Sequence, residues 1–306
     1  MAEAATLIGV DWGTTNLRAF AIDPGGAIIE RRAANNGVTR LSGQDFSAVL
    51  NTLISDWRTA HTPVLVCGMI GSRHGWVETG YRACPVGAAD LARDFGRPDS
   101  GIRIVPGVCL SRNGKLVDVM RGEDVQVLGA LGVGESATAI CPGTHSKWVR
   151  VEKGRIVDFR SYMTGELFAL LKEHSVLGRD MTVSVNDPGA FEAGVLKAIE
   201  DPVLSATLFS TRVRLVDGRL NPASAEDYLS GILIGAEVAG ALKSYAGALT
   251  VIGAPDLAER YRRALELAGA GPARIIDPDQ ATARGLWQIW KETEACLSQA
   301  SSTTGR

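Results

Sequence analysis

The sequence predicts an α/β protein built of two lobes, and three observations predict it. The chain has 306 residues, long for one core and natural for two. Short apolar runs that read as strands alternate with helical patterns along its length. The opening plan of strand, Gly-Thr turn, strand, turn, strand occurs twice, at TLIGVDWGTTNLRAFAIDPGGAIIERRA and again at ATAICPGTHSKWVRVEKGRIVDFRSY. A duplicated meander fixes architecture before any single element does.

The elements follow in order. Leu7 to Val10 is an apolar run ending at Asp11. A tight Gly13-Thr14-Thr15 turn follows, then a strand from Leu17 to Ile22, the turn Asp23-Pro24-Gly25-Gly26, and a third strand from Ala27. Phe46, Val49, Leu50, Leu53, Ile54 and Trp57 fall at helical spacing. Pro63 to Cys67 reads as a buried strand running into the Gly-rich loop Gly68 to Trp76, and Ile102 to Val105 as another strand. Residues 120–132 read as a helix with acids in its first turn. After the second meander, helices are expected at Gly165 to Leu177, Tyr228 to Ala241, Pro255 to Leu267 and Thr282 to Cys296, with a strand at Leu249 to Ile252 that meets Gly253. The division expected is 1–133 for the first lobe and 134–306 for the second, with the last helix packing back towards the first.

Composition narrows the function. Net charge is −2 and no Lys/Arg block appears, so the footprint of a nucleic-acid binder is missing. No apolar run approaches the roughly 18 residues of a membrane span. The start, Met1 to Thr6, carries Glu3 and does not read as a secretory leader. Five scattered cysteines (67, 84, 109, 141 and 296) suit reduced thiols in a cytoplasm. Solubility fits a monomer or a homodimer alike.

The chemistry-bearing positions cluster at the turns. Asp11 ends a buried strand beside Gly13, Thr14 and Thr15, and a carboxylate beside donor groups suits Mg²⁺ with phosphate. A hairpin whose Asp caps its own turn is the plainer reading. The second turn, Pro142-Gly143-Thr144-His145-Ser146-Lys147, has Cys141 where the first has Asp11. The first turn therefore reads as the metal side and the second as a source of donors, with Lys147 the one charge there able to reach a phosphoryl oxygen. Glu123 and Asp124 are candidates for the base that transfer to a hydroxyl requires, and nothing in the sequence separates them. In the Gly-rich loop, Arg73, His74 and Trp76 read either as a ligand-facing set or as surface. There is no Walker loop, dinucleotide fingerprint, nucleophile elbow or HExxH.

The strings GVDWGTTNLRAF, GMIGSRHGW, DVMRGEDVQVLG, PGTHSKWV and MTGELFALL together resemble the 2-dehydro-3-deoxygalactonokinases of the sugar-kinase/actin/Hsp70 superfamily, over nearly the whole chain. The resemblance implies two ribonuclease-H-like lobes (βββαβαβα cores), ATP with Mg²⁺ in an interlobe nucleotide cleft, and phosphorylation of the 6-hydroxyl of 2-dehydro-3-deoxy-D-galactonate. Asp11 matches the metal-associated acid. Gly13, Thr14 and Thr15, with Arg18 on the following strand, match the first phosphate motif. Gly143, Thr144 and His145 match the second, and Gly253 the glycine of the adenosine motif. Helices 120–132 and 280–296 would be the crossing pair. An acid sugar needs cationic partners, which makes Arg73, Arg121 and Lys147 candidates, with His74, Trp76 and Glu166 completing the substrate set. A kinase of another sugar acid such as 2-dehydro-3-deoxygluconate, or a non-catalytic ATP-binding protein, remain the alternatives.

Overall fold

The structure, a computed structural model, describes residues 5–41, 45–183 and 185–303, with side chains as far as Ser298. The first residues of the expected non-leader start lie outside that range. The described chain forms two compact units: residues 1–136, 151–159 and 276–306, and residues 137–150 with 160–275.

In the first unit β1 (Leu7–Trp12), β2 (Leu17–Ile22) and β3 (Ile28–Ala34) run as an antiparallel meander. Helix α1 (Phe46–Ile54) follows, started by Asp45, whose side chain accepts from the Ser47 and Ala48 amides. Strand β4 (Val64–Cys67) then pairs in parallel with β1, Asp11 opposite Cys67. The unit continues through β5 (Tyr81–Ala83), the short α2 (Ala88–Leu91), β6 (Ile102–Ile104), β7 (Gly107–Arg112), β8 (Lys115–Met120) and α3 (Glu123–Ala130). Its main sheet has the order β3-β2-β1-β4-β6. Strands β1 and β4 are buried throughout, so they read as continuous apolar runs, as strands covered on both faces do. The core on one face joins Ile8, Val10, Trp12, Leu50, Ile54, Val64 and Val66.

The plan repeats in β9 (Ala137–Cys141), β10 (Ser146–Glu152) and β11 (Arg155–Tyr162), apart from residues 151–159 all in the second unit, then α4 (Thr164–His174), α5 (Pro188–Glu200), α6 (Leu204–Val216), α7 (Ala225–Ala241), β12 (Leu249–Ile252), α8 (Pro255–Leu267) and β13 (Ala273–Ile276). The order is β11-β10-β9-β12-β13, and β12 runs parallel to β9. This is the order of the first sheet, strand for strand. Helices α5 and α7 cross at glycines: a Cβ on Gly194 would stand 2.2 Å from the Tyr228 carbonyl oxygen, and one on Gly231 2.1 Å from that of Phe191.

The last helix, α9 (Pro278–Thr303), belongs to the first unit. It crosses α3 where a Cβ on Gly129 would meet the Ala281 carbonyl at 2.0 Å and one on Gly285 that of Val125 at 2.0 Å. Only glycine lets backbones approach so closely. The sequence places the start of the α3 helix at Met120, but Met120 ends β8, and the helix begins at Glu123 after Gly122, whose φ of 104° turns the chain out of the strand. No helix among the described residues is long and apolar enough to cross a membrane.

Candidate active site

The end of β1 and the turn that follows gather the candidate residues of the first unit. The turn closes when the Gly13 amide donates to the Asn16 carbonyl at 2.9 Å. It is clamped from outside by the amides of Gly37, Val38 and Thr39, which donate to the carbonyls of Thr15, Gly13 and Thr14. Gly37 has no alternative, since a Cβ there would fall 2.2 Å from the Thr15 carbonyl carbon. The clamp leaves Thr14 and Thr15 exposed. Asp11 is buried at the strand end, and burial pushes its carboxyl above the ordinary range while Arg18 opposes the shift. Arg18 bridges two acids: Nη2 reaches Asp11, and Nη1 donates to Asp279 of α9 at 2.7 Å. Arg31 adds a second cation on Asp279.

Two loops converge on Asp11. Gly68, at φ 94°, ends β4, and a Cβ there would stand 2.7 Å from the Trp12 carbonyl oxygen and 3.1 Å from Asp11 Oδ1. Gly122 lies against Gly68, at 3.3 Å from its Cα by the same measure. At the head of α3, Asp124 is buried. Its Oδ1 accepts from the amides of Gly122 at 2.7 Å and Val125 at 3.0 Å, while Oδ2 is buried with no hydrogen-bond partner. Burial, reinforced by the neighbouring Glu123 charge, pushes this carboxyl up to about 7. Glu123 instead accepts from the Arg121 amide at 3.2 Å. The two acids that the sequence leaves equivalent are therefore distinct: one caps backbone, and the other holds a buried oxygen without a partner.

Two candidates need correction. Arg121 is buried, with Nη1 on the Thr79 hydroxyl, Nη2 on the Thr79 carbonyl at 2.9 Å, and its guanidinium over the Tyr81 ring at 4.5 Å. These protein partners make it an anchor for the loop before α3, in place of the substrate contact expected. Trp76 stacks on Phe46, with centroids 6.3 Å apart, and packs against the first unit's core. It is half-buried, and its packing on Phe46 and the core gives it a structural role that the sequence did not show. Arg73 and His74 of the same loop are exposed.

A second group of candidate residues lies in the other unit. The turn from Pro142 leads into β10, and α4 begins against it. A Cβ on Gly165 would stand 2.4 Å from the Gly143 carbonyl oxygen, and the Glu166 amide donates to the Thr144 carbonyl at 2.9 Å. His145 Nε2 and Glu166 Oε2 lie 2.5 Å apart. Lys147 is buried on β10, with Nζ donating to the His145 carbonyl at 3.1 Å. Gly253, after β12, stands where Gly68 stands after β4, and its face lies 3.4 Å from the Pro142 ring. Beside this turn opens a cavity of about 450 Å³, lined among others by Gly143, Thr144, Ser230, Leu257, Arg260 and Tyr261. Asp227 on its wall pairs with Arg260 and accepts the Asp187 amide at 2.7 Å.

Sequence reasoning missed Asp279, Asp227 and Glu237. Glu237 of α7 is buried and accepts from Ser146, Trp148, Thr164 and Tyr261. The only trace of it in the sequence is an acid within the small and apolar run ILIGAEVAGA.

Two sheets of one order, each with a Gly-Thr turn after its first strand, give a duplicated α/β fold of the actin-like class. The same fold is found in the activator of 2-hydroxyisocaproyl-CoA dehydratase from Clostridium difficile, 14% identical with a TM-score of 0.52 over 95% of this chain and 97% of that one. Within the class, the chain belongs to the 2-keto-3-deoxy-galactonokinase family, whose model matches residues 11–289. It is 38% identical to the 2-dehydro-3-deoxygalactonokinase of Escherichia coli strain K12 over 288 residues, covering 93% of this chain and 97% of the relative. A crystal structure from Sinorhizobium meliloti, described as that of a 2-dehydro-3-deoxygalactonokinase protein, superposes with a TM-score of 0.84 at 36% identity, covering 93% of this chain and 98% of that one.

Proposed function

We propose that the chain transfers the γ-phosphoryl group of ATP to the 6-hydroxyl of 2-dehydro-3-deoxy-D-galactonate, a step of galactonate and galactose degradation. The observation that carries the mechanism is the buried, unpartnered Oδ2 of Asp124, on a carboxyl whose pKa lies near the operating pH. Asp124 takes the hydroxyl proton, the oxygen forms its bond to phosphorus, the bond to the bridging oxygen breaks, and ADP leaves. Two backbone amides hold Oδ1, so Oδ2 keeps a fixed direction throughout.

Asp11 is the residue that would hold Mg²⁺, with Arg18 releasing one of its oxygens. No group of three or more His, Cys, Asp or Glu able to cage a metal occurs among the described residues. Mg²⁺ keeps several waters and takes one or two carboxylates plus phosphate oxygens, and Asp11 would supply one of those carboxylates. When bound it neutralises charge on the phosphates. Thr14 and Thr15 offer hydroxyls, and Gly143, Thr144 and His145 offer backbone and ring donors, to phosphate oxygens. The cavity beside Gly143 and Gly253 suits the adenosine in size and in its mixed apolar and polar lining. Arg73 and His74, exposed on a loop after β4, are the partners for the sugar acid's carboxylate, and Glu166 orients His145.

The test is ADP release with Mg·ATP on the galactonate substrate, its gluconate epimer and neutral hexoses. Turnover confined to the galactonate compound supports the assignment. Turnover on the gluconate epimer at equal efficiency rejects the substrate, and turnover on none rejects the reading.

A further inference from the structure

Glu237 lies on α7, is 4% exposed, and forms no part of the chemistry described above. Both of its carboxylate oxygens are saturated. Oε1 accepts from the Ser146 hydroxyl at 2.5 Å and the Trp148 indole N–H at 2.8 Å. Oε2 accepts from the Tyr261 hydroxyl at 2.8 Å and from the Thr164 hydroxyl. An ionised carboxylate offers about four lone-pair sites, and here four donors fill them.

The donors are what matter. Ser146 is the first residue of β10, at the exit of the Gly143-Thr144 turn. Thr164 is the first residue of α4, one position before the Gly165 that touches the Gly143 carbonyl. Tyr261 comes from α8, and with Thr164 it lines the 450 Å³ cavity. One side chain thus fixes the strand leaving the turn, the helix starting against it, and the wall of the cavity beside it. Taking a charge out of water is costly, and a hydrophobic side chain would stabilise the core as well or better. What a carboxylate adds is direction, because each of four groups is held at one angle and one distance.

We propose that Glu237 is the positioning residue of the ATP subsite, holding the second phosphate turn and the cavity in register without touching the nucleotide. This rests on the reading of the cavity as the ATP site, so the test separates the two. Glu237→Ala would leave four buried donors without a partner, which confounds folding with function; the informative variant is Glu237→Gln. The amide has the same shape, and the Thr164 and Tyr261 hydroxyls can turn to accept from its nitrogen, so the fold survives while the donor pattern changes.

The expected result, measured well below the melting temperature, is a rise in KM for ATP of about tenfold, the scale on which partners behind a binding group act. The KM for the sugar acid should stay within about twofold, on the same expectation that the second site is untouched. A lowered melting temperature with both KM values unmoved would show Glu237 to be a stability element and overturn the proposal. The control is Ser230→Trp, which fills the cavity from α7 without entering the Glu237 network. If it raises the KM for ATP while Glu237→Gln does not, only the role of Glu237 fails. If it leaves the KM for ATP unchanged, the cavity is not the ATP site and both readings fall.

Discussion

Arg18 and Asp279 are 261 residues apart in sequence and joined by a 2.7 Å hydrogen bond, and the same guanidinium holds Asp11. Asp279 opens α9, so the last helix reaches Asp11 through a single arginine. Both acids are mostly buried, with side-chain exposures of 11% and 13%. Arg18→Leu leaves them without that shared cation and should destabilise the protein by about 3 kcal/mol at pH 7. The deficit should shrink as pH falls and Asp11, whose carboxyl burial already raises, takes up its proton. Urea unfolding at pH 7 and pH 4.5 measures it, and a deficit equal at both values would rule out the charge explanation.

Asp124→Asn separates catalysis from stability. The folded carboxyl titrates at about 7 against an ordinary 3.8, so the folded state binds its proton more tightly than the unfolded chain. Its stability is fullest below the ordinary value and is lost as pH rises through the folded one. The asparagine variant should therefore be more stable than the parent at pH 8, by about 3 kcal/mol for a group this buried, and no more stable at pH 4. Its kcat should fall by about 10²- to 10⁴-fold, the usual worth of a general base. The parent's kcat should decline below about pH 7 as Asp124 protonates. A variant that keeps its activity, or a flat pH profile from 6 to 8, excludes Asp124 as the base.

Gly165→Ala sets helix propensity against contact. Alanine is the better helix former by about 1 kcal/mol, yet its Cβ would stand 2.4 Å from the Gly143 oxygen and 2.9 Å from Thr144 Cα. The turn must move, so stability should fall and the KM for ATP should rise. Gly189→Ala in α5, whose nearest neighbour would be Asp187 Oδ1 at 3.4 Å, should be neutral or stabilising. Thermal melts and initial rates on the pair decide it. Equal behaviour of the two would mean that the turn is not held by α4.

Trp76 and Arg73 share one loop and should separate cleanly. Trp76→Ala removes core volume and should cost about 3 kcal/mol with kcat retained below the melting point. Arg73→Ala should leave the melting temperature unchanged and raise the KM for the sugar acid by about tenfold or more, the worth of a charge-assisted pair. A fall in stability for Arg73→Ala, or a KM effect confined to Trp76→Ala, would reverse the assignment.

The repeated meander made both sheets legible, because period-two apolar runs and Gly-Thr turns are local signals. Gly253 and Gly68 were legible for the same reason, each ending a short apolar strand. The β7–β8 hairpin was not, since its outer strand, KLVDVM, is mostly exposed and carries no clean alternation. Trp76 misled because an aromatic in a Gly-rich loop looks the same whether it meets a ligand or Phe46. Arg121 misled similarly, as charge says nothing of where a guanidinium is spent. Glu237 was out of reach. Its four donors are spread from Ser146 to Tyr261, and only the folded unit brings them together.

The return of α9 to the first unit has a consequence for synthesis. A ribosome delivers β1 to α3 first, but the helix that packs against α3 at Gly129 and Gly285 emerges only after residue 275. Until then the apolar face of α3 and the strands beneath it wait without their cover, and Asp11 and Arg18 without Asp279. The second unit's strands and helices are all made before that point. The first unit therefore cannot complete its packing until the last residues have been made.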